Sequence, residues 1–365
     1  MSVLRILLCS PCCLDERLGA AKVYIGIKKQ YESFGHKVDI VSPDIFGIKL
    51  VSEKYFCALL AHINNKGHEY DVVEYEHNVL PYGRKAFPQH LKMVARIVLL
   101  THFCLKISYY KSSWFGKILS ILSLMKNYNR RQNQIYCANK TLENADLVFC
   151  SNDAELIYLN NKLRLPINKL FLNPFGLAFF EKKPIAKRKK TTILFLGTLD
   201  PRKGLFELPF IFKTIYANFP DLDFLLAGTG FFIKDLKEQR MLFKDIPHNK
   251  ICIIQEFHPE KLKILVSNVL AGVFPSQVEG CPFSIMEQMN FGIPVFGYRA
   301  PGVSMLLPEE CVVDIGNVTA LCDKLLNYLG DSHRLQLLAE EVYKKSLDFD
   351  WSVNAQKAIA KIAAL

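Results

Sequence analysis

The sequence has no apolar run approaching the roughly 20 residues that a membrane-spanning helix needs. The longest candidates are interrupted by Arg96, Lys106 and Lys117. Its first residues lead directly into a strand-like stretch, residues 4–9, without the layout of a secretory signal peptide. We therefore expect a cytoplasmic protein, although half of its 365 residues are hydrophobic and its mean hydropathy is +0.12.

The chain also lacks the Gly-x-Gly-x-x-Gly dinucleotide fingerprint, the P-loop and any Cys or His spacing typical of a metal site. Its 11 cysteines include the adjacent pair Cys12 and Cys13, and most of the others lie inside apolar runs. This pattern favours reduced core cysteines in a cytosolic protein. We expect neither a metal ion nor a cofactor.

Acidic residues are absent between Glu76 and Glu143. The same interval holds 11 lysines and arginines, which equals the net charge of +11, so the remainder of the chain is balanced. One continuous basic and aromatic segment indicates a single anionic partner surface. The cations are Arg84, Lys85, Lys92, Arg96, Lys106, Lys111, Lys117, Lys126, Arg130, Arg131 and Lys140.

Within this segment, residues 113–126 place apolar side chains on one helical face and Lys117 with polar side chains on another. One interpretation is an interfacial helix, with residues 84–131 binding an anionic membrane surface. The alternative is a helix packed in the core with a solvated basic edge. Nucleic acid is not expected, because no nucleic-acid-binding signature accompanies the charge.

Strand-like apolar runs alternate with helical patterns along the whole chain, which predicts an α/β protein with mainly parallel sheets. The charged, proline-containing segment 182–190 is the best domain boundary. The pattern predicts two Rossmann-like domains facing each other across a cleft, followed by a C-terminal helix. The predicted bounds are 1–181, the linker 182–190, 191–345, and 346–365 for the helix. The predicted strands include residues 5–9, 37–41, 95–101, 192–196, 223–227 and 269–274, and the predicted helices include residues 202–217 and 232–243.

A cation pair follows the first predicted strand of the second domain, in the stretch from Gly197 to Gly204. Asp200 is a suitable N-cap and Pro201 a suitable first helical residue. Arg202 and Lys203 would then stand in the first helical turn, where cations are disfavoured unless an anion lies between them and the free N–H groups. A diphosphate would satisfy that turn. The alternative is a solvated pair that tolerates a small cost.

Two carboxylates, Glu279 and Glu287, bracket a loop after the apolar strand-like run 269–274. In open parallel sheets, ligands bind at the carboxyl ends of strands. A carboxylate can accept hydrogen bonds from two sugar hydroxyls, which suits a nucleotide-sugar site. For Glu287 a structural alternative is open, since Ser284 and Glu287 have capping-box spacing. That alternative does not account for Glu279.

These two loops resemble signatures of retaining GT-B glycosyltransferases of the family-4 type (group 1). The resemblance rests on the Glu279–Glu287 spacing with Gly280 and the Gly-Ile-Pro-Val of 292–295, and on Gly-x-Leu-x-x-Arg-Lys-Gly at 197–204. It departs at Thr198, where many relatives have arginine. It implies two Rossmann-like domains, with the C-terminal helix returning to pack on the first.

The resemblance also implies transfer of a sugar from a nucleotide-sugar to an acceptor hydroxyl with retention and without metal. Arg202 and Lys203 would neutralise the leaving diphosphate, Glu287 would bind ribose and Glu279 would face the donor sugar. Gly197 lies in the diphosphate loop. Backbone groups of a further loop would meet sugar or phosphate; its residues are Cys281, Pro282, Phe283 and Ser284.

The remaining motifs give weaker resemblances. Gly19 stands in a stretch similar to the family's glycine-rich loop near the donor phosphates, and Gly228 ends a strand in a Gly-x-Gly turn. His102 occupies a position where many relatives have a histidine that reaches the donor sugar, and His77 one near the acceptor. We favour His102 for the catalytic role. Neither is expected to bind a metal.

The acceptor is left open as a glycan, a lipid or a small molecule, with a lipid-linked acceptor on a membrane surface as one option. Two other functions also fit the same fold. One is a nucleotide-sugar epimerase or hydrolase, and the other is a catalytically degenerate, membrane-associated binding subunit.

Overall fold

The computed structural model describes residues 2–16, 18–49, 51–105, 128–178 and 191–365. The described residues form two compact units. The first contains residues up to 105, residues 128–178 and residues 350–365, and the second contains residues 191–349. The predicted linker 182–190 and the predicted helical segment 113–126 lie outside the described residues.

A six-stranded parallel sheet forms the centre of the first unit, in the order β2-β1-β3-β4-β5-β6. Its four inner strands, β1, β3, β4 and β5, are buried on both faces over nearly their whole length, whereas the edge strands β2 and β6 are partly exposed. The strand order of this sheet reverses between the neighbouring strands β1 and β3. The strands are β1 (Arg5–Cys9), β2 (Lys37–Val41), β3 (Val72–Glu76), β4 (Lys92–Arg96), β5 (Leu147–Cys150) and β6 (Leu170–Leu172).

The strand predicted at 95–101 is wrong in its bounds. β4 pairs with β3 only from Lys92 to Arg96, opposite Val72 to Glu76, and a short helix begins at Thr101. The apolar residues from Ile97 to Leu100 are therefore a buried loop after the strand, which periodicity does not distinguish from a strand. The described helices of the first unit, apart from the helix at the C-terminus, are α1 (Gly19–Ser33), α2 (Glu53–Lys66), α3 (Thr101–Cys104), α4 (Tyr128–Asn144) and α5 (Asp153–Asn161).

The second unit contains another six-stranded parallel sheet, in the order β12-β11-β10-β7-β8-β9. The chain builds outward from β7 through β8 to β9, and then from β10 through β11 to β12 on the other side. The reversal lies between the neighbouring strands β7 and β10. The strands are β7 (Thr192–Leu196), β8 (Asp223–Ala227), β9 (Ile251–Ile254), β10 (Val269–Phe274), β11 (Val295–Tyr298) and β12 (Val312–Val313). These two α/β units confirm the predicted fold class.

The helix predicted at 202–217 is wrong at its start. Residues Pro201–Lys203 form a 3-10 turn that ends at Gly204, whose φ is +89°, and the α-helix begins only at Leu208. The helix predicted at 232–243 likewise begins at Leu236, after Asp235 caps it. The helices are α6 (Leu208–Asn218), α7 (Leu236–Leu242), α8 (Leu262–Leu265), α9 (Phe283–Asn290), α10 (Val318–Leu329) and α11 (Ser332–Ser346).

The last helix, α12 (Trp351–Ala363), belongs to the first unit. A Cβ atom on Gly26 of α1 would lie 2.7 Å from Cζ2 of Trp351, so the glycine permits close packing. Asn173 Nδ2 donates to the carbonyl of Asn354 at 2.8 Å. The units divide between residues 349 and 350, after the predicted boundary of 345, because α11 continues to Ser346 and Asp350 caps α12. Among the helices of the described ranges, none is long and apolar enough to cross a bilayer.

Candidate functional site

The candidate site lies where the carboxyl ends of β7 and β10 adjoin in the second sheet. The loop after β7 spans residues 197–204, and the loop after β10 spans residues 275–282. This edge is the point at which the strand order reverses. In open α/β sheets, the crevice at such a reversal is the position at which ligands bind.

The turn that carries the cation pair is held by Asp200. Its Oδ1 accepts the backbone N–H of Lys203 at 3.2 Å, and its Oδ2 accepts the hydroxyl of Thr198 at 2.6 Å. Thr198, which departs from the family pattern, thus orients the capping carboxylate. The sequence pattern predicts both cations at the positive end of an α-helix dipole. Because this 3-10 turn has only three residues, that dipole does not act on them.

Gly204 ends the turn by packing directly on the loop after β10. A Cβ atom there would lie 2.3 Å from Cγ of Pro275 and 2.9 Å from its carbonyl oxygen. The backbone of the two loops is further joined by Gln277 N–H, which donates to the Arg202 carbonyl at 2.9 Å. These contacts bring the cation pair against the segment that contains Glu279.

Arg202, Lys203 and Glu279 form one charge cluster. Oε1 of Glu279 lies 2.7 Å from Nη1 of Arg202 and 3.2 Å from Nζ of Lys203. The hydroxyl of Ser276 donates to the same oxygen at 2.7 Å. The sequence assigned the cations and Glu279 to separate parts of a ligand, whereas the structure places them in direct contact.

The cluster keeps Glu279 ionised although the residue is only 7% exposed. Burial by itself raises the pKa of this carboxyl, but the charges of Arg202 and Lys203 and the Ser276 hydrogen bond together lower the pKa below its usual value. The stem of Lys203 crosses Gly197, where a Cβ atom would lie 3.5 Å from Cδ of the lysine. Its ammonium also lies 5.3 Å from the centre of the Phe274 ring.

The backbone around Glu279 is fixed on both sides. Arg202 Nη1 donates to the Val278 carbonyl at 2.8 Å, and the N–H of Glu279 donates to the Pro301 carbonyl at 3.0 Å. Gly302, with φ of +77°, approaches so closely that a Cβ atom would lie 2.1 Å from the Gly280 carbonyl oxygen. The loop is therefore preorganised by contacts with two other segments, the loop after β7 and residues 301–302.

Glu287 lies on α9, which starts immediately after this loop. The N-cap residue of α9 is Pro282 and the helix begins at Phe283, so Ser284 is already inside it. The capping-box alternative for Glu287 is therefore wrong, because Ser284 does not occupy the cap position. Glu287 is half-buried in the same helix that follows the Glu279 loop.

The other predicted donor-binding residues of this unit lie in the loops that follow β8 and β10 and in the first turn of α9. Cys281 and Pro282 are buried, whereas Phe283 and Ser284 are half-buried at the start of α9. Gly228, with φ of +82°, lies beside the turn after β7, since a Cβ atom there would be 3.8 Å from the backbone nitrogen of Gly197. The loops after β7, β8 and β10 thus place the predicted residues of the second unit at one edge of the sheet.

The two candidate histidines and Gly19 belong to the first unit. His77 is buried between Glu76, whose Oε1 lies 2.5 Å from Nδ1, and Thr101, whose N–H donates to Nε2 at 3.1 Å. His102 is also buried, with Nε2 2.8 Å from Oδ1 of Asn139. Both histidines are held by neighbouring side chains, and the choice between them stays a prediction. Gly19 is the first residue of α1, and a Cβ atom on it would meet no atom within 4 Å.

Several cations of the basic segment form ion pairs or hydrogen bonds inside the first unit. Arg96 is buried and forms an ion pair with Glu74, while its Nη1 donates to Asn173 at 2.9 Å. Arg84 pairs with Asp146 at 3.3 Å, and Lys92 donates to the Ile362 carbonyl at 3.0 Å. These cations neutralise or bond internal groups, so the charge available to a partner is smaller than the sequence count suggests. Residues 106–127 of the segment lie outside the described residues.

Sequence reasoning missed Ser276 and the buried pair of Glu74 and Arg96. A polar residue two positions after the end of the buried strand β10 was the available signal for Ser276. For the pair, the signal was one charge of each sign within two neighbouring apolar strands. Neither signal identifies the partner, because the contacts depend on strand order.

Comparison with solved structures identifies the architecture. A sucrose-phosphate synthase from Thermosynechococcus elongatus superposes with a TM-score of 0.76 at 18% identity, covering 97% of both chains. Anabaena HepE, solved in complex with UDP and glucose, superposes with a TM-score of 0.70 at 15% identity over 99% of both chains. The chain has the GT-B fold.

The family model described as glycosyl transferases group 1 matches residues 178–345. This group 1 region contains Arg202, Lys203, Ser276, Glu279 and Glu287. An uncharacterized glycosyltransferase from Haemophilus influenzae is 25% identical over 181 residues, which are 47% of this chain and 50% of that protein. A glycogen synthase from Chlorobaculum parvum is 24% identical over 54% of this chain and 40% of its own length. The chain thus spans half or less of these two curated relatives.

Proposed function

We propose that this protein transfers a sugar from a nucleotide-sugar donor to an acceptor hydroxyl. The observation that carries the proposal is the cluster of Arg202, Lys203 and Glu279 at the strand-order reversal of the group 1 region. Two cations and a carboxylate on fixed loops can bind both the anionic and the hydroxyl-bearing parts of one donor.

In this mechanism Arg202 and Lys203 bind the donor diphosphate. The bond between the anomeric carbon and the diphosphate oxygen breaks, and its electron pair stays on the nucleoside diphosphate. Two fixed cations stabilise the charge that develops there, which is electrostatic catalysis of the departing group. The role requires no metal ion, and a metal-independent reaction is part of the proposal.

The acceptor hydroxyl oxygen forms the new bond to the anomeric carbon, and its proton leaves with the nucleoside diphosphate. Retention of configuration, implied by the family resemblance, requires the acceptor to attack from the face that the diphosphate leaves. Glu279 would contact the donor sugar and Glu287 the ribose hydroxyls. Gly228 and backbone groups of residues 281–284 complete the part of the proposed site that belongs to the second unit. His102 and Gly19 remain the candidates that the first unit contributes.

The names of similar proteins support a donor of this class. Solved structures of Anabaena HepE contain UDP with glucose and also UDP-glucose. The matched curated proteins include a glycogen synthase and a human phosphatidylinositol N-acetylglucosaminyltransferase chain, which is 24% identical over 40% of this chain. They favour a nucleotide-sugar donor and leave the acceptor open as a glycan, a lipid or a small molecule.

A panel of nucleotide-sugars, tested by thermal shift without acceptor, examines the proposal directly. We expect one donor class to raise the melting temperature of the protein, and its nucleoside diphosphate to do so as well. Product analysis of the same mixtures separates the alternatives. Bound donor that is stable or only slowly hydrolysed fits a transferase without its acceptor, whereas rapid epimerisation or hydrolysis indicates the other enzymatic functions. No nucleotide binding would indicate a degenerate binding subunit.

A further inference from the structure

Three donors converge on a single oxygen of Glu279. Nη1 of Arg202 lies 2.7 Å from Oε1 and Nζ of Lys203 lies 3.2 Å from it, and the hydroxyl of Ser276 donates to the same oxygen at 2.7 Å. The three donors differ in their surroundings. The side chains of Arg202 and Lys203 are 23% and 15% exposed, while Ser276 is completely buried.

We infer that Ser276 is a positioning residue, which keeps the Glu279 carboxylate in place when a donor diphosphate binds Arg202 and Lys203. This inference rests on the proposed function. A diphosphate presents more charge and more oxygen atoms than one carboxylate, so it competes with Oε1 for both cations. When the cations turn to the diphosphate, Glu279 loses its two charged partners and retains the neutral one.

Ser276 is suited to this role by its location on the same loop. Its other potential acceptors, the carbonyls of Arg202 and Val278, are both 3.3 Å away, so the bond to Glu279 is the shortest available to the hydroxyl. Because Ser276 is completely buried, it does not contact the donor itself. It acts on the reaction through the orientation and the charge of Glu279.

The inference predicts that loss of the Ser276 hydroxyl impairs recognition of the sugar of the donor and leaves recognition of its nucleoside diphosphate nearly unchanged. In S276A the cations are intact, so UDP should bind within about twofold of wild type. UDP-glucose should bind about tenfold more weakly, or be hydrolysed about tenfold more slowly, because S276A removes a hydrogen bond to a charged group. The hydroxyl also lowers the pKa of Glu279, so its loss should move the acid limb of the hydrolysis profile to higher pH.

The experiment compares wild type, S276A, S276T and S346A by calorimetric titration with UDP and UDP-glucose and by UDP release across pH. S276T retains a hydroxyl and should restore the pH profile. Ser346 is equally buried and donates only to a backbone carbonyl within α11, so S346A controls for loss of a buried hydroxyl. Melting temperatures of all four proteins check folding.

The outcomes distinguish the inference from the proposed function. Wild-type pH dependence and UDP-glucose handling in S276A would overturn the positioning role while the proposed function stands. An equal loss of UDP and UDP-glucose binding in S276A would also overturn it, since it would indicate general damage to the loop. If wild type binds neither ligand nor any other nucleotide-sugar, the proposed function and the inference both fail.

Discussion

The ammonium nitrogen of Lys203 lies 3.2 Å from Oε1 of Glu279, so the cation of one loop is neutralised by the carboxylate of another. Both side chains are largely buried. Removing one partner from such a pair leaves the other uncompensated, which typically costs about 3–5 kcal/mol. Substitutions in the cluster therefore affect stability as well as donor binding, and both must be measured.

Lys203→Ala should abolish sugar transfer and weaken binding of the donor nucleotide by about 30-fold or more, because a largely buried charged contact to the diphosphate is lost. Titration with the nucleoside diphosphate and a turnover assay test this. Lys213→Ala is the matched control, since Lys213 is 61% exposed and pairs with Asp245 at 2.9 Å on the surface of the same unit. Normal turnover by Lys203→Ala would refute the diphosphate site.

Glu279→Gln should destabilise the protein in a pH-dependent way. The pKa of Glu279 is lower in the folded state than in the unfolded chain, so the stability it contributes is present above its ordinary pKa. That stability disappears as the pH falls through the folded-state value. Denaturation at several pH values should therefore show a difference between wild type and variant of about 3 kcal/mol at neutral pH, shrinking at acid pH. A constant difference would contradict the ion pair.

Glu287→Gln should lower nucleotide affinity while changing the melting temperature by only a few degrees. The reason is that an amide is a poorer acceptor for two ribose hydroxyls, whereas α9 is capped at Pro282 and does not depend on Glu287 for a capping box. Calorimetric titration and thermal unfolding give the two quantities. Unchanged affinity with a large loss of stability would show a structural role instead.

Gly204→Ala should destabilise the second unit by about 2–4 kcal/mol and impair donor binding, because it combines a positive φ with overpacking against Pro275. Gly35→Ala is the matched control. Gly35 has nearly the same φ, +85°, but a Cβ atom there meets nothing within 4 Å, so about 1–2 kcal/mol is expected. Equal losses in chemical denaturation would mean that the contact with Pro275 contributes nothing.

The interfacial interpretation of residues 84–131 predicts that the protein binds anionic membranes, whereas the alternative of a core-packed helix predicts no such binding. Co-sedimentation with phosphatidylserine vesicles should be strong at low salt and weaken as salt is added, because exposed charges are screened. Neutral phosphatidylcholine vesicles are the control. Replacing Arg130 and Arg131, which are at the start of α4, by glutamine should reduce the binding. Salt-insensitive or absent binding would remove the membrane proposal.

Much of the fold could be predicted from the sequence because the inner strands of both parallel sheets are buried on both faces. Their apolar runs are short, continuous and bounded by polar residues, so β1, β7, β8 and β10 agree with prediction to the residue, as does the alternating edge strand β2. The errors occurred where the same local pattern permits two structures. The apolar residues 97–100 continue past the end of β4, and a glycine ends the helical pattern after Lys203.

For the site, the sequence supplied Arg202, Lys203, Glu279 and Glu287 as candidates, since charged residues directly after buried strands are visible in the pattern. It could not supply their contacts. The ion pair of Glu279 with both cations exists because β10 lies beside β7 in the sheet, although β8 and β9 separate them in the chain. Strand periodicity specifies which residues end a strand and carries no information about which strand is its neighbour.

By itself, the sequence determined the α/β class, most strand positions and the charged loops that follow two of those strands. The tertiary structure alone decided that these loops share one charge cluster, that Ser276 donates a hydrogen bond to it and that Pro282 rather than Ser284 is the N-cap residue of α9. The physical reason is that local patterns arise from neighbours along the chain. The cluster arises from close packing of Gly204 on Pro275, between segments that only the folded sheet brings together.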